Sequence, residues 1–390
     1  MTRQPKSMVP KVRFKGFTDE WEQRKLENMV HFFNGLTYKP NDIRKSGTFV
    51  IRSSNIQNGA IVSSDDVFVR NEIANSTNVK IGDIIVVVRN GSRKLIGKHA
   101  IVTVPMNNTV IGAFMTGIRT EHYNFINALL STLKFKDELR KNMGATINQI
   151  TGYMFSNMKF MFPNDQEMDR IGTFLRKLDN LITLQQRKLD QLNTLKKGLL
   201  QKMLADKKHL QPQLRFKGYA DDWKWKKLGE LANIKTGSRN HQDSIENGKY
   251  PFYVRSEKIE HLNEYDYDTE AILVPGDGKI GEIFHYINGK FALHQRVYKL
   301  DEFNGIDAHF LLCLLKQNFK KHALRLNAQG TVPSLRLPMF TKWEILIPSI
   351  SEQEQIGKNF IILNNMILAQ QSKLDKLNSL KKSLLQNMFI

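Results

Sequence analysis

The sequence predicts a mixed α/β protein of the α+β kind: two similar domains, each a mixed sheet with helices, joined by two long helices packed on each other. Three observations carry that expectation. The stretch "VRFKGFTDEW" from Val12 returns as "LRFKGYADDW" from Leu214. The stretch "QQRKLDQLNTLKKGLLQKM" (Gln185–Met203) returns as "QQSKLDKLNSLKKSLLQNM" (Gln370–Met388), identical at most positions. Between these duplicated ends lie two strand-rich middles that share little beyond a coarse pattern. Like ends suit one partner met twice, and unlike middles suit two different targets.

The opening segment, 1–27, aligns with 211–229 by a shift of 202: Arg13, Phe14, Gly16, Asp19, Trp21 and Leu26 fall on Arg215, Phe216, Gly218, Asp221, Trp223 and Leu228. Its aromatics are expected to bury area against helices or a partner, because a duplicated segment cannot read two different words. The first middle, 28–162, offers strands with Gly/Asn turns in "TFVIRSSNIQNGAIV" and "VKIGDIIVVVRNG", then a helix in "YNFINALLSTLKFKDELRKN". A loop, Gly144–Gly152, follows.

The first long helix is expected over 163–210. It has Pro163 at its start, acids in its first turns, and apolar residues three or four apart (Ile171, Leu175, Leu178, Ile182, Leu189, Leu192, Leu199, Met203). The second middle, 230–347, fills the same slots with "KYPFYVRSEKIEHLN", "AILVPGDGKIGEIFHYINGKFALHQRVYKL", the helix "DAHFLLCLLKQNFKKHALRLN" and the loop Gly330–Leu337. The second long helix, 348–390, repeats the stripe with Ile356, Phe360, Leu363, Ile367, Leu374, Leu377, Leu384 and Met388. Roughly forty helical residues span about 60 Å. So long a stripe reads as a coiled-coil seam, the alternative being two independent amphipathic helices, each lying on its own domain. The stripe residues Leu178, Leu189, Leu192, Leu199, Leu374, Leu377 and Leu384 are its candidate contacts.

Among the 390 residues, 58 Lys and Arg against 38 Asp and Glu give a net charge of +20. Such an excess expects an anionic partner, and nucleic acid first. The single cysteine, Cys313, excludes an internal disulfide and reads as a core thiol. The start of the chain has no apolar signal core, and the run Ile81–Val88 is too short to span a bilayer, so a cytoplasmic protein without membrane contact is expected.

The "RFKG(F/Y)xD(D/E)WxxxKL" opening, the loop before a final strand, "PxxxEQxxI" at Pro348–Ile356 and the "KLxxLxxLKKxLLQxMF" ending resemble the specificity subunit of type I restriction–modification systems over nearly the whole chain. The resemblance implies that each middle is a target recognition domain. Each would read half of a split, asymmetric site in double-stranded DNA. The long helices would pair as an antiparallel coiled-coil spacer. The repeated ends would hold two copies of the methyltransferase subunit, which carries S-adenosylmethionine and methylates adenine, and a restriction subunit using ATP and Mg would join. The chain itself would have no catalysis and no cofactor. One departure is visible: the first helix starts "PNDQEMDRI", with Met168 where the second has Gln353, although Glu167 matches Glu352 and Asp169 matches Glu354.

Base readout needs Arg or Lys for guanine and Asn or Gln for adenine. Candidates in the first middle are Arg52, Ser53 and Asn55; Arg89, Asn90, Ser92, Arg93 and Lys94; and Thr146, Asn148 and Gln149. In the second they are Arg255, Ser256 and Lys258; Lys279, Gln295 and Arg296; and Thr331, Ser334 and Arg336. His294 reads equally as a packed strand residue or a contact. Lys196, Lys197, Lys381 and Lys382 form basic helix faces that would be solvated or covered by partners. With B-DNA, half-sites about 34 Å apart would suit two such modules.

Other chemistries find no support. The chain has no Pro-Pro, so it lacks the Asn/Asp-Pro-Pro-aromatic motif of an adenine methyltransferase. "GSRKLIGKH" (Gly91–His99) has five residues between its glycines where a P-loop needs four, and ends in His rather than Ser or Thr. "PGDGKIGE" also lacks the Gly-Lys-Ser/Thr ending, and no metal-binding spacing occurs among the ten His. The alternatives left are a basic coiled-coil adapter binding nucleic acid without sequence preference, and an enzyme with an unfamiliar site.

Overall fold

In the computed structural model, residues 8–143, 148–206, 209–327 and 333–390 are described. The chain divides into two compact units: one up to Gln186 together with Lys373–Ile390, the other Arg187–Ser372. Both divisions fall inside the long helices rather than at their ends.

The first unit opens with strand Glu22–Lys25, which pairs antiparallel with Lys159–Phe162, Glu22 opposite Phe162. Between them lie two four-stranded sheets. One runs His31–Asn34, Met115–Arg119, Ile84–Val87, His99–Ile101, antiparallel throughout. The other runs Thr109–Ile111, Thr48–Ile51, Val67–Val69, Ile43–Arg44, its first pair parallel. The unbroken apolar run Ile84–Val87 is buried on both faces, which is why it shows no alternation. Asn58 and Gly59 close the pair Ile56–Gln57 and Ala60–Ile61 with φ of 50° and 75°, the left-handed turn that Asn-Gly favours. The expected helix after the sheets is two, Tyr123–Leu130 and Leu133–Asn142. Thr132 makes the break, because its hydroxyl accepts the Phe135 N–H at 3.2 Å and starts a new N-terminus.

The second unit repeats the bracket: Lys224–Lys227 pairs antiparallel with Glu344–Ile347. Its middle is one six-stranded sheet in the order Asn233–Thr236, Val297–Asp301, Tyr267–Pro275, His285–Leu293, Tyr250–Tyr253, Ile259–Leu262. The nine-residue strands Tyr267–Pro275 and His285–Leu293 are long enough to carry both parts that the first unit splits between sheets. Helices Ala308–Leu314 and Lys320–Leu326 are joined by a π-helical turn, Leu315–Phe319. Gly35 and Gly237, one repeat apart, each bring backbone so close to a neighbouring strand that a Cβ would lie 2.1 Å from a carbonyl oxygen. Only glycine fits there.

The long helices are Asp165–Met203 and Ile350–Asn387. In the first unit, Leu175 shares a core with Met388 and Phe389, and Asp179 pairs with Lys381 at 2.6 Å. Advancing along one helix there means retreating along the other. In the second unit, Leu200 and Met203 share a core with Phe360 and Ile356. Of the expected stripe, Leu178, Leu189 and Leu374 are buried, while Leu192, Leu199, Leu377 and Leu384 are half-buried.

The duplicated openings clasp the starts of these helices. Arg13 donates from Nε and Nη2 to both Glu167 oxygens at 2.7 Å, and Arg215 does the same to Glu352 at 2.8 Å. The carboxylates are 0% and 1% exposed, and the bidentate bond raises each guanidinium pKa. Trp21 and Trp223 are buried in the respective cores, and Phe14 meets Phe174 edge-on at 5.6 Å, so the repeated aromatics pack as expected. Met168 is wholly buried where Gln353 bonds Asp307, Gly305 and Pro348. The first unit instead holds this helix start with His122, whose Nδ1 lies 2.8 Å from Asp169.

Candidate nucleic-acid interface

Three stretches far apart in sequence meet in the first unit. The buried strand Ile84–Val87 delivers Arg89 and Asn90 to its end. The returning loop docks there: Ile150 N–H donates to Val88 O at 2.9 Å, and Arg89 bridges Gln149 as an antiparallel pair. Asn90 then ties in the other two clusters. Its Nδ2 donates to Ser53 Oγ at 3.0 Å, and its N–H to Asn148 O at 3.3 Å. Asn148 Nδ2 closes the ring on Gly91 O at 3.0 Å.

Within this cluster the roles differ. Arg89 is exposed, with its guanidinium 5.0 Å from the Phe114 ring centre. Lys94 and Ser92 are exposed, and the exposed Arg93 reaches Met143 O at 3.5 Å. Arg52 is bound to Asp65 through its carboxylate and carbonyl, so its charge is partly neutralised. Asn55, a candidate for base readout, is 0% exposed. Its amide donates to Val62 O, Ser64 O and Asp66 and accepts the Arg52 N–H. It shapes the loop, its amide engaged within the protein. The Asp66 carboxylate accepts from the Ser63 hydroxyl, the Ser64 N–H and the Asn55 amide, and these bonds, Ser63 foremost, hold its pKa down. Thr146 lies outside the described residues.

The second unit builds the same frame with other side chains. Leu335 N–H donates to Gly276 O at 2.6 Å, and Asp277 bridges Ser334 where Arg89 bridges Gln149. Arg255, in the slot of Arg52, donates to Asp277 Oδ2 at 3.2 Å. A cation at the strand end has become an anion. Ser256, Lys258, Lys279, Gln295, Arg296 and Arg336 are exposed, and Ser334 is half-buried. Gln295 bonds Asn240, which sequence reasoning missed, and Lys279 sits 3.9 Å from Glu257. His294 is 5% exposed, accepts the Arg296 N–H at Nδ1 and has a pKa lowered first by burial; it is a packed residue. Thr331 lies outside the described residues. Phe114 and Asp65 were also missed; an exposed aromatic and a loop acid carry no sequence signal of the arginine they hold.

Among the described residues, no group of three or more His, Cys, Asp or Glu could hold a metal ion, and no helix is long and apolar enough to cross a membrane.

The family described as type I restriction modification DNA specificity domain matches residues 18–194 and 220–379. The chain is 32% identical over 162 residues to the type I restriction enzyme EcoDI specificity subunit of Escherichia coli, covering 41% of this chain and 35% of that protein. It is 28% identical over 171 residues to the StySPI specificity subunit of Salmonella potsdam, covering 42% and 36%. The chain thus spans about a third of the length of these relatives. The crystal structure of a type I restriction-modification S subunit from M. genitalium matches with a TM-score of 0.73 over 98% of this chain and 99% of that one, at 18% identity. That likeness establishes the fold.

Proposed function

Because this chain belongs to the type I restriction modification DNA specificity family, matched over both of its halves, we propose that it is the sequence-reading subunit of a restriction–modification complex. Each unit reads one half of a split, asymmetric site in double-stranded DNA. The observation that carries this is the shared frame with exchanged side chains. Arg89·Gln149 in one unit answers Asp277·Ser334 in the other, on the same docking of loop to strand end. A common scaffold with different donors and acceptors at its rim is what two different base words require. The net charge of +20 supplies the sequence-independent attraction to phosphate.

The chain performs no chemistry itself in this reading. Two copies of the methyltransferase subunit would sit on the duplicated ends, where Arg13–Glu167 and Arg215–Glu352 create the same local structure twice. S-adenosylmethionine belongs to that subunit, and ATP and Mg to the restriction subunit. The antiparallel helix pair serves as the spacer, and the complex works in the cytoplasm.

The test is a genome-wide map of methylated adenine in cells carrying this gene with its methyltransferase partner, against cells lacking it. Loss of one bipartite motif on deletion is the expected result. Two identical maps, in the host and in a foreign cell, would point instead to an adapter without sequence preference.

A further inference from the structure

The internal repeat provides a control for one cavity in the second unit. In the first unit, Lys381 Nζ pairs with Asp179 Oδ1 at 2.6 Å, and Ser131 lies beside His99, Oγ to Nε2 3.2 Å. A shift of 185 carries Lys196 onto Lys381 and Asn364 onto Asp179. It also carries Gly172, packed on Asn124 and Phe125, onto Gly357, packed on His309 and Phe310. Ser131 therefore corresponds to Lys316. In the second unit the acid has become an amide, and a hydroxyl has become a second ammonium.

Lys196, Lys316 and Asn364 line one cavity of about 40 Å³, walled by Leu200, Cys313 and Phe360. No carboxylate lines it, and among the described residues neither lysine has an ion pair. Asp307, whose field reaches Cys313, has its Oδ1 engaged by the Phe310 N–H at 2.8 Å. Burial lowers the Lys316 pKa, and the Lys196 charge lowers it further. The Lys196 and Lys316 charges repel each other at this cavity, a cost that a bound anion would offset.

We propose that this cavity binds one phosphate oxyanion, held by the Lys196 and Lys316 ammonium groups and the Asn364 amide. The space admits a single small oxyanion. Leu200, Cys313 and Phe360 close one side, while Lys316 is exposed and leaves the cavity open to an ion from solvent. The phosphate is inorganic, or it is one backbone phosphate of bound nucleic acid; the recognising chemistry is the same, and only the second source rests on the DNA-reading function.

The experiment compares the full chain with Asn364→Asp and Lys316→Ser. Each substitution installs the residue that the first unit already accommodates. In the first arm, thermal unfolding is followed in sodium phosphate against sodium chloride at matched ionic strength. An inorganic ligand gives the wild type a saturable rise of a few degrees that both variants lose. In the second arm, the salt dependence of duplex DNA binding is measured. A backbone ligand gives no rise with inorganic phosphate, but both variants lose about one unit of the log K against log salt slope. A variant that matches wild type in both arms overturns the site. Failure of the wild type to bind DNA at all would overturn the proposed function while leaving the first arm intact.

Discussion

Arg89 stands at the end of a buried strand with its guanidinium 5.0 Å from the Phe114 ring. That ring limits the arginine's freedom, so less is lost when it bonds a base. Arg89→Ala is expected to weaken and relax the first half-site by roughly 1–3 kcal/mol, measured by binding to duplexes varied in that half alone. Asn55→Ala should act differently. It leaves buried carbonyls without their donor, so stability falls by about 1–3 kcal/mol while the preferred sequence stays unchanged. His99 gives a pH dependence. Burial lowers its pKa below the ordinary 6.5. The unfolded chain therefore binds the proton more tightly. The first unit keeps this stability above about pH 6.5 and loses it as pH falls toward the lowered folded value. His99→Gln should flatten that slope in chemical denaturation between about pH 8 and 5. The residue types at the interface were legible as clusters. Their division into exposed side chains and buried braces was not, because burial, complete at Asn55 and absent at Arg89, is set by what the fold packs around each.

The long helices were legible from their stripe, since a 3.6-residue period needs only local sequence. Their partners along the stripe were not, because every leucine in it looks equivalent. Leu189 is 5% exposed and Leu192 is half-buried. Leu189→Asp is expected to cost at least about 3 kcal/mol by burying a charge. Leu192→Asp should cost markedly less, since its carboxylate can turn to water. Thermal unfolding of both variants, alongside assembly with the methyltransferase subunit, checks the order. Equal losses would refute the difference in packing. The broken helix after the first pair of sheets was missed for a related reason: Thr132 serves as an N-cap only once Phe135 is turned to meet it.

Across the whole molecule, replacing residues 28–150 with the corresponding middle of a relative should change one half of the methylated site and leave the other. The exchange spares Arg13–Glu167, Trp21 and the bracket of Glu22–Lys25 with Lys159–Phe162, so the first unit keeps its closure. A change in both half-sites, read from the methylation map, would sink the modular reading. The sequence by itself determined that the chain is built twice, that its ends are alike and its middles are not, and that it carries an excess of positive charge. Those properties are set by residue identity and spacing. Only the tertiary structure decided that Arg13 and Arg215 clasp buried glutamates, that three distant clusters meet around Asn90, and that one lysine of a repeated pair keeps its acid while the other faces an amide. Partners separated by tens or hundreds of residues are chosen by packing and desolvation, which no local pattern records.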